Sequence, residues 1–177
     1  MIQRIDCGTA EPALDVRSPR IATCSPTEAQ LLARCKCEPV FVPMSVYADD
    51  RGWSIMNQLQ GVLLPNGQIN FSMQYPGVTK AWHRHKLQTD YWVCLIGNLK
   101  VGVYREEDNQ AWQIVTGEKR PGILIIPPTL WHGATVVGPE NAGLLYYVTQ
   151  SYDPVCPDEE RRAASSVSGF NWEVQHR

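Results

Sequence analysis

Three of the four histidines in this 177-residue chain stand where their spacing could do chemistry. His83 and His85 are one residue apart in Trp82-His83-Arg84-His85, and on a strand positions i and i+2 share a face. His132 follows Pro127-Pro128-Thr129-Leu130-Trp131, which reads as a strand, a tight turn and a strand restart. Neutral imidazoles suit transition ions, and one acid completes a three-histidine, one-carboxylate shell. Asp90 and Gln88 are the nearby oxygen donors. The spacing predicts one divalent transition ion, with zinc, iron, nickel and manganese all open. Its ligands would be His83, His85 and His132 with Asp90 or Gln88, if the strands close into a barrel. For any one histidine alone, an ordinary core or surface role is the competing account. Trp82, Trp92 and Trp131 beside these histidines could stack on a sugar ring or simply pack the barrel.

Such side chains meet only if strands carry them to one place. Thirteen glycines and thirteen prolines cut the chain into short pieces. The pieces at 40–47, 53–64, 68–75, 91–96, 99–104, 112–116, 123–126, 135–137 and 144–149 are β-branched or aromatic and bounded by turn residues, as in an all-β sandwich or barrel. One helix precedes them over 27–35, with Ser25 as N-cap, Pro26 in the first turn and Glu28 completing a capping box. The organisation expected is an N-terminal helical arm over 1–38 and a β domain over 39–177, its tail docking through Phe170-Asn171-Trp172.

Composition narrows the function classes. With 44% hydrophobic and 19% charged residues the chain can bury a core. A net charge of −2 argues against nucleic acid as a partner. No apolar run is long enough to span a bilayer and the first residues lack a signal-peptide pattern, so no membrane and a cytoplasmic address are expected. Cys7, Cys24, Cys35, Cys37, Cys94 and Cys156 are too sparse for a disulfide scaffold, and Cys35-Lys36-Cys37 lacks the Cys-x-x-Cys spacing of a zinc site. Arg161-Arg162, within residues 158–162, reads as a solvated charge cluster.

Gly77, His83, His85, Asp90 and Gly97 fall at the intervals of the first cupin motif, and Pro127-Pro128-Thr129 with His132 resembles the second, Thr129 standing in the glycine slot. The resemblance implies a cupin double-stranded β-helix, a jelly roll. Residues 46–172 further resemble the dTDP-4-dehydrorhamnose 3,5-epimerases, cupins that invert carbons beside a sugar ketone. The matching pieces are Asp49-Asp50-Arg51-Gly52-Trp53, Gln68-Ile69-Asn70-Phe71-Ser72 leading to His83, Ile126-Pro127-Pro128 with His132-Gly133, Leu144-Leu145-Tyr146, and Asn171-Trp172.

By that resemblance His83 is the base that takes the proton alpha to the ketone and Tyr146 the acid on the opposite face. Lys80 stands where an arginine contacts phosphate, and Arg51 faces the nucleotide. Gln68, Asn70, Trp82 and Trp131 complete the substrate-binding set. Asp90, however, occupies the place of the family's enolate-stabilising lysine, and His85 that of a glutamine. Met56 replaces a nucleotide-contacting glutamate, and residues 162–166 lack the acid that orients the base. Two of these changes build a metal shell, and a divalent ion would restore the lost positive charge. His83 cannot commit one lone pair both to an ion and to a proton. The reading is therefore an isomerase or epimerase on a keto-sugar or nucleotide-sugar, metal-assisted. The alternatives are a metal-dependent cupin of dioxygenase type and a non-catalytic sugar-binding cupin. The resemblance also implies a homodimer, for which residues 40–46 and the helix offer surface.

Overall fold

The computed structural model describes residues 13–56 and 58–174. It begins with two short strands, β1 (Asp15–Arg17) and β2 (Arg20–Ile21), followed by α1 (Pro26–Lys36). The Ser25 side chain accepts from the Glu28 N–H while the Glu28 carboxylate returns to the Ser25 N–H at 2.9 Å, so two orphan donors of the first turn are satisfied. Cys37, in the left-handed region at φ 49°, ends the helix. Twelve strands follow: β3 (Val40–Pro43), β4 (Tyr47–Asp49), β5 (Gly52–Ser54), β6 (Gln68–Gln74), β7 (Thr79–Arg84), β8 (Asp90–Ile96), β9 (Asn98–Arg105), β10 (Gln110–Gly117), β11 (Gly122–Ile126), β12 (Trp131–Val136), β13 (Ala142–Val148) and β14 (Glu160–Arg161).

Two six-stranded sheets form a sandwich. One has the order β1-β10-β9-β12-β7-β14, the other β2-β3-β11-β8-β13-β6. Side chains alternate along each strand, so each sheet has an inner and an outer face. Leu99, Val101, Leu124, Ile126, Val136 and Leu144 fill the space between the sheets. The outer face of the second sheet, with Tyr91, Val93, Ile123, Ile125 and Tyr147, is covered by Ala29 and Ala33 of α1. The outer face of the first, with Trp82, Tyr104 and Trp131, is covered by Val167 and Phe170 of the C-terminal tail. The arm is built into the sheets, since β1 and β2 pair in parallel with β10 and β3. No helix among the described residues is long and apolar enough to cross a membrane.

Residues 53–64 do not form the single strand expected of them. Gly52–Ser54 pairs with Tyr47–Asp49 in a separate exposed hairpin, and turns occupy 58–62, where Gly61 takes φ 82° and Val62 returns to the helix-side core. The strand from Val40 stops at Pro43, which cannot donate to a ladder. Its Val40, Phe41 and Val42 are buried within the subunit's own sheet, so they do not offer the surface expected for a partner.

The glycines of the first motif are in their slots for conformational reasons. Gly77 has φ 78° and Gly97 φ 60°, and a Cβ on Gly97 would meet the Asn141 carbonyl oxygen at 2.3 Å. Thr129, in the second motif's glycine slot, also adopts φ 73°, held by its N–H donating to the His85 carbonyl at 2.6 Å.

Candidate functional site

The two motifs converge inside the sandwich. His132 of β12 pairs directly with His83 of β7, and Asp90 opens β8 in the facing sheet. His85 lies just past the end of β7. One ligand atom from each of His83, His85, Asp90 and His132 can be chosen so that all four lie within 4.8 Å of one another. His132 and Asp90 are buried, and His83 and His85 half-buried.

Hydrogen bonds outside the cluster fix which ring nitrogens face into it. His132 Nδ1 lies 2.9 Å from the Leu130 carbonyl oxygen, and His85 Nδ1 lies 2.5 Å from the Asp158 carbonyl oxygen. A carbonyl only accepts, so each Nδ1 carries the proton and each Nε2 keeps its lone pair. The His132 Nε2 is buried without a hydrogen-bond partner and sits 3.4 Å from an Asp90 carboxylate oxygen. Among the described residues no hydrogen bond fixes His83; its ring stacks on Trp92 at 5.9 Å and meets His132 edge-on at 4.2 Å.

Charge is distributed to match. Burial, then the neighbouring His132, holds the His83 pKa well below the usual imidazole value, so that it is neutral at pH 7. Burial works against ionising Asp90, yet His132 and His85 in their protonated forms and the Gln88 amide outweigh it and bring its pKa to about 2; with the rings neutral, a bound cation would have to supply that positive charge. Its oxygens accept from Gln88 Nε2 at 2.6 Å and Trp92 Nε1 at 3.1 Å. An ionised, buried carboxylate among lone-pair-bearing imidazoles, one of them unpartnered, is a donor set that fits a divalent transition ion. Gln88 braces the acid through its amide nitrogen, which donates to the Asp90 carboxylate.

The other expected residues divide by face. Register places Gln68, Asn70 and Ser72 of β6 beside Val148, Tyr146 and Leu144 of β13, with Tyr146 opposite Trp92 of β8. The Gln68 amide donates to Asn70 at 2.7 Å, and Lys80 Nζ to the Ser72 hydroxyl at 2.9 Å. Lys80, which stays exposed, shares the face of His83 because of a register shift between His132 and Ala134. Tyr147, the neighbour of Tyr146, points to the helix side, where its hydroxyl accepts from the Leu64 N–H.

The shift that puts Lys80 on the His83 face turns Trp82 out. Trp82 and Trp131 lie on the outer face, in the aromatic cluster under the tail, and do not join the histidines. Trp82 Nε1 donates to the Ala164 carbonyl, and Trp131 is sandwiched between the Arg84 and Arg162 guanidiniums at 4.4 and 4.0 Å. The stacking expected of them on a sugar is therefore corrected: packing between sheet and tail holds both rings. Arg51 is exposed on the β4–β5 hairpin, ion-paired to Asp49, and the depression beside it is lined only by residues within 46–56. Cys24, Cys35, Cys37, Cys94 and Cys156 are free thiols, and Cys7 lies outside the described residues. Asp158, whose contacts reach His85 and the loop after it, was not marked by any motif.

Comparison with known proteins identifies the chain's family and its fold. The family model for the polysaccharide biosynthesis C-terminal domain matches residues 47–160. The spore coat polysaccharide biosynthesis protein SpsL of Bacillus subtilis is 34% identical over 139 residues, covering 74% of this chain and 92% of that protein. The probable low-salt glycan biosynthesis epimerase Agl13 of Haloferax volcanii is 41% identical over 97 residues, 51% of this chain and 62% of its own length. Among solved structures, a dTDP sugar isomerase from Desulfovibrio desulfuricans G20 superposes with a TM-score of 0.66 at 22% identity, over 76% of this chain and 90% of that one, a likeness of fold. The family match and the near-complete coverage of the Bacillus relative together make this chain a member of the polysaccharide biosynthesis C-terminal domain family.

Proposed function

We propose that this chain is a sugar epimerase of polysaccharide biosynthesis, acting on a keto-sugar carried by a nucleotide, with one divalent transition ion held by His83, His85, Asp90 and His132. The observation that carries the reading is the buried, unpartnered Nε2 of His132, aimed into a cluster that shares one interior with Tyr146. The relative named as a probable glycan biosynthesis epimerase supports the reaction class. A cytoplasmic site of action belongs to this reading.

Inverting a carbon beside a ketone requires removing its alpha proton, stabilising the enolate oxygen and returning a proton to the opposite face. An ion held by these residues would supply positive potential near the carbonyl oxygen. Tyr146 is suited to return the proton, because burial, then the Asp90 and Glu159 charges, raises its pKa and keeps the phenol protonated. Lys80, Asn70 and Gln68 orient the sugar and its phosphates along the β6–β13 wall, and Arg51 approaches the nucleotide from the hairpin. One observation favours a second reading for His83. His85 and His132 are each pinned through Nδ1, whereas His83 is not, so His83 is the group that would leave the ligand set to take the alpha proton, with His85, Asp90 and His132 remaining as ligands.

A homodimer completes the proposal. Tyr47, Trp53 and Met56 near the hairpin and Ile69 and Phe71 of the edge strand β6 are exposed apolar groups that a second copy would cover. A monomeric mass by light scattering at micromolar concentration removes this part. The reaction is tested by following loss of the alpha proton of 4-keto sugar nucleotides in heavy water. Exchange is expected with native protein, absent after chelation and restored by adding back the ion, and in Tyr146→Phe inversion of the carbon is expected to be lost while exchange persists. Chelator-resistant exchange that vanishes in His83→Ala overturns the metal and leaves His83 as base. No exchange with any such nucleotide overturns the epimerase.

A further inference from the structure

We infer that Asp158 is a positioning residue, which sets the tautomer of His85 and the loop between His85 and Asp90 so that both aim their donor atoms into the cluster. The inference rests on the metal-site reading for its purpose, but its geometry stands apart from any ion. Residues 85–89 join β7 to β8, and therefore join two of the imidazoles to the carboxylate. Asp158 holds this loop with every acceptor it has. Its carbonyl oxygen takes the His85 Nδ1 proton at 2.5 Å. Its carboxylate accepts from three successive backbone N–H groups, Lys86 at 2.9 Å, Leu87 at 2.9 Å and Gln88 at 3.3 Å.

Successive N–H groups turned to one side form a concavity for an anion, and bonds to an ionised acceptor are stronger than neutral ones. The carboxylate thus docks residue 158 onto the loop, and docking brings the same residue's carbonyl to the His85 ring edge. The consequences extend to both sides of the loop. On one side, His85 Nε2 is left with its lone pair toward His83 and His132. On the other, Gln88 is held where its amide donates to Asp90 at 2.6 Å, and Thr89 is locked by Thr149 through a 2.9 Å bond to its N–H. A ligand's outer hydrogen bond fixes its orientation and tautomer, and here one residue far along the chain does this for the imidazole while bracing the acid.

The alternative is that Asp158 merely holds the segment after β13 against the barrel. The test separates the two. Two-bond proton–nitrogen correlation on the 15N-labelled full chain reads the His85 tautomer without metal, and cobalt(II) titration reads ligand affinity. The native protein is expected to show the Nδ1–H form at His85. In Asp158→Ala the Nε2–H form should become the major or an equal species, with cobalt(II) affinity about 10- to 100-fold lower. Asp158→Asn, which keeps one acceptor oxygen, should fall between. The tail should remain docked in these variants through the paired backbones of Trp82 and Arg162. Asp153→Ala cuts a 2.8 Å bond to the Val155 N–H in the same segment, and should change neither readout. A native tautomer in Asp158→Ala, or an equal shift in Asp153→Ala, overturns the inference. If the native protein binds no cobalt(II), the metal reading falls, and the tautomer comparison still decides the role of Asp158.

Discussion

The interior between the sheets has two ends of opposite character, built by the same strands. Along β8 the inward positions run Asp90, Trp92, Cys94; along β12, His132, Ala134, Val136; along β13, Tyr146 gives way to Leu144. At the far end, Leu99, Val136, Leu144 and Cys94 close the space with apolar packing. At the near end, a carboxylate and three imidazoles interrupt it, one nitrogen being buried without a partner. The apolar end stabilises the fold, because burial of hydrocarbon is favourable and non-directional. The polar end forgoes that stabilisation and holds groups poised for something absent from the chain itself. A strand that is continuous in backbone can thus change from structure to chemistry in one residue pair.

The largest expected effects come from exchanging damage between the two ends. His132→Ala should lower keto-sugar proton exchange by about a hundredfold to a thousandfold, the scale of losing a group that stabilises developing charge, with a loss of stability smaller than that of the apolar-end variant because it deprives the buried Asp90 of a partner. Leu124→Ala, fully buried between the sheets, should do the reverse and cost about 2–5 kcal/mol of stability in urea unfolding. A large loss of stability in His132→Ala with exchange intact would break the comparison.

A smaller effect is expected from pH, and between pH 7 and 5 it should come from the polar end, since the exposed carboxylates with lowered pKa titrate below that window. In the unfolded chain the His83 imidazole titrates near its ordinary value of about 6.5, whereas burial lowers it in the folded state. Between pH 7 and 5 the unfolded chain therefore takes up a proton that the folded chain refuses, and stability falls as pH falls, by at most about 1.4 kcal/mol per pH unit for this one group. Asp90, depressed to about 2 from its ordinary value of 3.8, contributes stability that is complete above 3.8 and lost as pH falls toward 2. Urea midpoints of metal-free protein should show both declines, and His83→Gln should remove the first and keep the second. A flat profile between pH 7 and 5 in the native protein contradicts the assignment.

The smallest effect sharpens the boundary of the site. Thr129 holds a β-branched side chain at φ 73°, which disfavours it by about 1–2 kcal/mol. Thr129→Gly should therefore be up to about 1 kcal/mol more stable than the native protein, after the greater freedom of glycine in the unfolded chain is subtracted. A loss of stability in thermal unfolding would show that the Thr129 side chain, 3.8 Å from the Cys37 sulfur, is holding the turn.

What was legible beforehand follows the range over which each feature is encoded. The capping box of α1 spans four residues, and it formed as read. The motif glycines and Thr129 mark left-handed backbone locally, and the histidine spacing together with the motif resemblance pointed to His83, His85 and His132 meeting beside Asp90 or Gln88. The run 53–64 misled because apolar content without strict alternation does not distinguish a strand from a hairpin followed by turns.

Tertiary structure decided what depends on register and on distant partners. The irregularity opposite Gly133 shifts the phase of β7 and puts Lys80 on the face of His83 and Trp82 on the outer face, a choice made by pairing with β12 and invisible in the alternation of β7 itself. Trp131 sits between Arg84 and Arg162 because the tail folds back over the outer face. Asp158 meets the His85–Gln88 loop across some seventy residues of chain, and no local pattern encodes such a contact. The sequence by itself determined which residues were able to do chemistry and which strands would carry them, because side-chain type and near-neighbour periodicity are local properties. Which face each one presents, and what orients it once there, was settled only when strands far apart in sequence paired.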